Sequence, residues 1–155
     1  MNEKVPQVDF EALRRHANQI PMYKLIGMEV VEARAGYSKF RLPFRKELTQ
    51  PFGVMHGGAF AAVADSAVAI ALWGLVGTDK TFTTIEMKVN FIAPVASGEV
   101  IAEGHIVHCG RRTAIGDVTL KDHDGRLVGK CLATYMILPT ENSSAKVPEW
   151  KQNEQ

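Results

Sequence analysis

The run GGAFAAVADSAVAIALWGLVG, Gly57 to Gly77, decides the fold. It is long and apolar enough to resemble a membrane span. Asp65 sits near its middle, however, and a carboxylate in hydrocarbon is expensive. The sequence holds no second such run and both flanks read as strands, so a helix buried inside a protein explains the segment better. A helix that is apolar all round needs cover on every side, and one antiparallel sheet supplies it only by curling around the helix.

Working outward on the N-terminal side, RKELTQPFGVM (Arg45 to Met55) carries Pro51 and Gly53 without periodicity and reads as a loop feeding the helix. Before it, MEVVEA (Met28 to Ala33) and YSKFRLPF (Tyr37 to Phe44), joined across Gly36, read as a hairpin. Earlier still, Phe10, Leu13, Ala17 and Ile20 recur at helical spacing behind Asp9, an N-cap residue type, so a helix is expected over 9–19, stopped by Pro21. On the C-terminal side four strands are expected, at Phe82 to Ile92, Glu99 to Cys109, Thr113 to Lys121 and Leu127 to Leu138. Asp124-Gly125 is a strong hairpin signal, and connections this short are expected to force antiparallel neighbours throughout. The expected organisation is an N-terminal helical segment (1–20), one α+β domain (21–139) in which an antiparallel sheet wraps a long central helix, and a polar, mobile tail (140–155).

Composition narrows the function. A chain of 155 residues, 46% hydrophobic and 23% charged, fits one soluble domain with a real core. Eighteen Lys and Arg against 17 Asp and Glu leave a formal charge of +1, which disfavours nucleic-acid binding through the phosphate backbone. Two cysteines are too few for a disulfide framework or a four-ligand zinc site, and a reducing, cytoplasmic setting without membrane attachment is expected. His105 and His108, three apart in a strand, are expected on opposite faces and so unable to chelate one metal.

Chemistry concentrates in QPFGVMHGGAFAAVADSA, Gln50 to Ala67. Gly57 and Gly58 let a ligand approach the backbone where unpaired N–H groups and the positive end of the helix dipole favour an oxyanion. A lone acid on an apolar helix costs several kcal/mol unless satisfied, and such acids cluster at functional sites. Asp65 lies eight residues beyond Gly57, roughly 12 Å at about 1.5 Å per residue, too far for both to touch one carbonyl from the same helix. Two antiparallel copies of the helix across a dimer axis would bring each Asp65 near the other chain's Gly57, so a shared catalytic site is expected.

These residues, HGGAFAAVADSA (His56 to Ala67) with Gln50 upstream and TTIEMKVNFIAPV (Thr83 to Val95) downstream, resemble the hotdog-fold acyl-CoA thioesterases, specifically the PaaI-like branch, over about residues 20–138. The resemblance implies hydrolysis of an aromatic or medium-chain acyl-CoA to free acid and CoA, without metal or other cofactor. It assigns Asp65 as nucleophile or general base, the Gly57 amide as oxyanion donor from the partner subunit, and Gln50 to orienting water or substrate. PaaI-like members usually carry Asn at the place of Gln50, whereas Gln is familiar in a related aromatic-CoA branch. Thr84 would assist with its hydroxyl, and His56 would either touch substrate or fix the helix start. Val54, Met55 and Phe91 would line the acyl or pantetheine channel, and Arg111 and Arg112 would meet the CoA phosphates with guanidinium contacts. An obligate homodimer, paired again as a dimer of dimers, is the expected assembly. A thioester is already activated, so a carboxylate plus preorganised N–H donors can suffice for its hydrolysis. The rival expectations are an acyl-thioester dehydratase or hydratase on the same fold and a non-catalytic acyl-CoA-binding sensor.

Overall fold

In a computed structural model, which describes residues 7–77 and 80–138, the long apolar run is helix α3 (Gly57–Val76). It is preceded by α1 (Phe10–Ala17), α2 (Pro21–Ile26), β1 (Glu29–Arg34), β2 (Tyr37–Pro43) and a short 3-10 turn at Lys46–Leu48. After it come β3 (Thr81–Phe91), β4 (Glu99–Cys109), β5 (Thr113–Asp122) and β6 (Leu127–Leu138). The expected tail, 140–155, lies outside the described residues.

The six strands form one antiparallel sheet in the order β1-β2-β4-β5-β6-β3, and α3 contacts every one of them. Burial explains how a helix with a membrane-like composition belongs here: Val63, Ala64, Ala67, Val68, Ile70, Ala71 and Leu72 have no solvent exposure. The helix can lie this low because the strands beneath it carry small residues. A Cβ on Gly104 would meet the Ala67 carbonyl carbon at 2.9 Å, and one on Gly116 would come closer still to the Val68 side chain, 2.5 Å from its Cγ1. Ser38, buried on β2, donates its hydroxyl to the Ala67 carbonyl at 2.6 Å and so satisfies the polar atom it brings into the core.

Two sequence expectations change. Asp9 does cap α1, accepting from the Ala12 N–H at 2.9 Å, but Pro21 does more than stop a helix: as the first residue of α2 it starts another. Its fixed φ and missing N–H suit that position. Leu13 and Ala17 of α1 and Tyr23 of α2 join the same hydrophobic core as α3, so the N-terminal segment packs as part of the domain. The second change is in the sheet, where β3 pairs with β6 and not with its sequence neighbour β4. Crossing three strand spacings takes about 14 Å at ~4.8 Å each. The seven residues 92–98 can reach roughly 23 Å, so a short connection does not compel adjacency.

The two edges of the sheet differ. On β1, the Asn18 side chain accepts from the Val30 N–H at 2.7 Å and donates to the Val30 carbonyl at 3.3 Å, and α1 packs alongside. On β3, no described strand pairs with the side facing away from β6, and Ile85, Phe91 and Ile92 are exposed there and at its end.

Candidate active site

The residues singled out in the sequence fall into two separate groups. The first surrounds a cleft of about 530 Å³ at the start of α3, lined by Gln50, Val54, Met55, His56, Gly57 and Phe91 together with Phe60 and the Ile92–Pro94 segment. His56 is the N-cap: its Nδ1 accepts the Gly58 N–H at 2.8 Å, which fixes the helix start and leaves the Nε2 side of the ring toward solvent. Between the two roles expected of His56, this contact matches the one that fixes the helix start. Gln50 accepts from the Phe52 N–H at 3.2 Å, a local contact within the loop whose Gln50 and Pro51 line the cleft. Gly57 is crowded by the Phe91 ring, whose nearest atom is 3.0 Å from where a Cβ would stand.

The second group surrounds Asp65, half-buried farther along α3. With Gly57, Ala61, Ala62, Ala69 and Trp73 it forms the helix flank that the sheet leaves only partly covered. The Thr84 hydroxyl donates to Asp65 Oδ1 at 2.8 Å. The Tyr135 hydroxyl reaches the same Oδ1 at 2.5 Å and the Asp65 carbonyl oxygen at 2.7 Å. Thr84 and Tyr135 face each other across β3 and β6, so one cross-strand pair supplies both donors. A bulge at Ile85 lets this happen. It resets the alternation after Thr84 so that Glu86 points out while Met87 and Val89 turn inward. Sequence reasoning missed Tyr135. Its signal was a hydroxyl-bearing aromatic at an inward position of a strand whose neighbouring inward positions are Ala133 and Ile137.

Ser66, the chain neighbour of Asp65, lies within hydrogen-bond reach of Tyr23. Burial, only partly offset by that contact, pushes the Tyr23 phenol up to about 12, with the Asp65 charge adding to the rise. Burial, then the Asp65 charge and its hydrogen bond, likewise hold the Tyr135 phenol far above its ordinary range, so it stays a donor at neutral pH. Neither cysteine is an activated nucleophile. Burial raises Cys109, and burial together with Asp65, Asp117 and Glu86 pushes Cys131 up to about 11.

Arg111 and Arg112 are exposed in the turn between β4 and β5. That turn lies at the Thr83 end of the sheet, since Thr113 and Thr83 both pair with Met136, whereas Phe91 and the cleft are at the other end. Within one chain, therefore, the arginines and Asp65 stand apart from the Gly57 cleft. The expectation for His105 and His108 is corrected. A bulge at Val107 puts them opposite Asp117 and Ile115, on the same outer face of the sheet. Among the described residues no cluster of three or more His, Cys, Asp or Glu side chains forms a metal site.

Comparison with known proteins agrees with the fold. A family model described as "Thioesterase superfamily" matches residues 52–129. The proofreading thioesterase EntH of Klebsiella pneumoniae is 29% identical over 113 residues, covering 73% of this chain and 82% of that protein. The 1,4-dihydroxy-2-naphthoyl-CoA hydrolase of Listeria monocytogenes is 26% identical over 116 residues, covering 75% and 93%. Among solved structures, conserved protein PA5202 of Pseudomonas aeruginosa superposes with a TM-score of 0.77 at 32% identity, over 80% of this chain and 98% of that one. With one helix wrapped by an antiparallel sheet and a family match spanning half its length, the chain belongs to the thioesterase superfamily and is a thioester hydrolase of the hotdog fold.

Proposed function

We propose that the protein hydrolyses an aromatic or medium-chain acyl-CoA to the free acid and CoA, in two sites shared across an antiparallel homodimer. The observation that carries this reading is the division of the site residues. An oxyanion-type helix start with an apolar cleft lies at one end of α3, and a hydroxyl-anchored carboxylate lies roughly 12 Å along the same helix. Two copies placed antiparallel complete each other. Gly57, Gln50, His56, Val54, Met55 and Phe91 come from one subunit, and Asp65, Thr84, Arg111 and Arg112 from the other. The open β3 edge and the small residues Ala61, Ala62 and Ala69 on the partly covered flank of α3 support close approach of a second copy.

The chemistry follows from the groups present. The Gly57 N–H, at the positive end of α3, takes the thioester oxygen as it gains charge. Asp65 either draws a proton from water as that water attacks the carbonyl carbon, or attacks it directly to form an anhydride that water then opens. In both routes the C–S bond breaks, the thiolate leaves and takes up a proton, and water supplies the oxygen retained by the acid. Phe60 and Phe91 give the cleft an aromatic wall, and the aromatic acyl-CoA in the name of the Listeria relative fits that wall. The branch we favour is the PaaI-like one, with two dimers associated as a tetramer in the cytoplasm.

The test is free-thiol release from phenylacetyl-, benzoyl- and short- to long-chain acyl-CoAs, comparing the natural protein with Asp65→Asn. Turnover is expected on aromatic or medium-chain members, with a loss of about a hundredfold or more in the variant. Near-normal turnover by Asp65→Asn would remove Asp65 from the mechanism. Consumption of an enoyl-CoA without thiol release would replace hydrolysis with hydration.

A further inference from the structure

Asp65 presents its two carboxylate oxygens very differently. Oδ1 receives the hydroxyls of Thr84 and Tyr135, whereas no hydrogen bond from a described residue reaches Oδ2. Among the described residues no buried side-chain polar atom lacks a partner, so Oδ2 keeps contact with solvent. From the geometry we infer that Tyr135 is a positioning residue: with Thr84 it pins Oδ1 of Asp65 and thereby makes Oδ2 the oxygen that meets water or substrate. This rests on the reading of Asp65 as the reacting carboxylate.

Several features fit positioning and not direct contact with substrate. Tyr135 is 2% exposed, so its ring is part of the core and its hydroxyl points at α3. The ring is held edge-on by Phe82 at 5.6 Å, and Phe82 in turn packs on Trp73 at 5.2 Å, which fixes where the phenol aims. The hydroxyl spans the main-chain oxygen and the side-chain Oδ1 of one residue. This contact ties the carboxylate to its own backbone and restricts both Asp65 side-chain torsions. Thr84 approaches from the facing strand and removes the remaining freedom to exchange Oδ1 for Oδ2. Small losses of orientation at a reacting group cost large factors in rate.

Tyr135→Phe tests the assignment because it deletes the hydroxyl and keeps the ring. The expected result is a kcat lower by roughly tenfold or more with KM within about twofold, since the hydroxyl touches no substrate. On an Asp65→Asn background the same change is expected to lower the residual turnover by less than about twofold, because Tyr135 acts only through the carboxylate. A merely structural role would instead lower the melting temperature, leave kcat per folded molecule unchanged and give the same factor in both backgrounds, and that result overturns the proposal. Should Tyr135→Phe fail to fold, p-aminophenylalanine at position 135, which keeps the bulk and an N–H donor, replaces it. A kcat between one-tenth of natural and natural, at unchanged KM, is then expected, and a fully natural kcat that persists after Thr84→Val overturns the pinning. Failure here is separable from failure of the proposed function. If Asp65→Asn loses turnover while Tyr135→Phe keeps it, only the positioning role falls; if Asp65→Asn keeps turnover, the reading of Asp65 itself falls.

Discussion

The ring of Phe91 stands 3.0 Å from the place a Cβ on Gly57 would occupy, so the end of β3 closes over the first residue of α3 and a side chain there would have to displace the ring by a few tenths of an ångström. Phe91 is 58% exposed, so its ring can give way, and because it lines the cleft its displacement reshapes that wall. Gly57→Ala is accordingly expected to leave the fold intact while lowering kcat/KM by about tenfold, through displaced substrate and not through helix propensity. Adding Phe91→Leu should return a large part of the loss. An unchanged kcat/KM in the single variant, measured by thiol release, would place the thioester elsewhere.

Complementation between subunits tests the shared site directly. Asp65→Ala and Gly57→Val dimers are each expected to be inactive, and mixing equal amounts with subunit exchange should restore about a quarter of natural activity. Half the dimers are then mixed, and each mixed dimer holds one intact site out of two. Exchange confirmed by mass spectrometry without recovered activity would mean that each site is built from one chain.

Gly104 tests the packing that sets α3 at its depth. A Cβ there would meet the Ala67 carbonyl carbon at 2.9 Å and the Ala67 Cβ at 3.0 Å, and the main chain of a buried helix cannot step aside cheaply. Gly104→Ala should cost about 1–3 kcal/mol in urea unfolding. It should also lower kcat, because Ala67 lies two residues from Asp65 on the same helix. A stability equal to that of the natural protein would show that the helix can lift without penalty.

Asp122, at the turn between β5 and β6, carries a pH signature. Burial alone would push its carboxyl up, but the main-chain N–H and guanidinium of Arg126 and the main-chain N–H of Asp124 together outweigh it and hold the group below its ordinary 3.8. A folded-state value below the unfolded one stabilises the protein above the unfolded value, and this contribution disappears as pH falls through the folded value. Melting temperatures of the natural protein and Asp122→Asn should therefore differ most near neutral pH and converge below about pH 4. A gap independent of pH would mean that the carboxylate charge contributes nothing there.

Much of this protein is decided by neighbours in the chain. The all-round apolar character of residues 57–76 specified a buried helix, period-two alternation specified the strands, Asp9 specified a helix start and Asp124-Gly125 a hairpin, with Gly125 at φ 79°. The pairing of Asp65 with Gly57 as candidate functional residues was legible too, because an acid in an apolar helix and glycines at its start are each locally costly. Tertiary structure alone decided the rest. Only the sheet register set Tyr135 opposite Thr84 and aimed both at Asp65, and only single-residue bulges at Ile85 and Val107 chose which side chains face inward and put His105 and His108 on one face. The placing of β3 beside β6 was equally invisible, since a loop's length limits how far it reaches without saying which strand it meets. Turn chemistry and periodicity act over a few residues, whereas register, bulges and strand order depend on how a whole sheet closes around its helix.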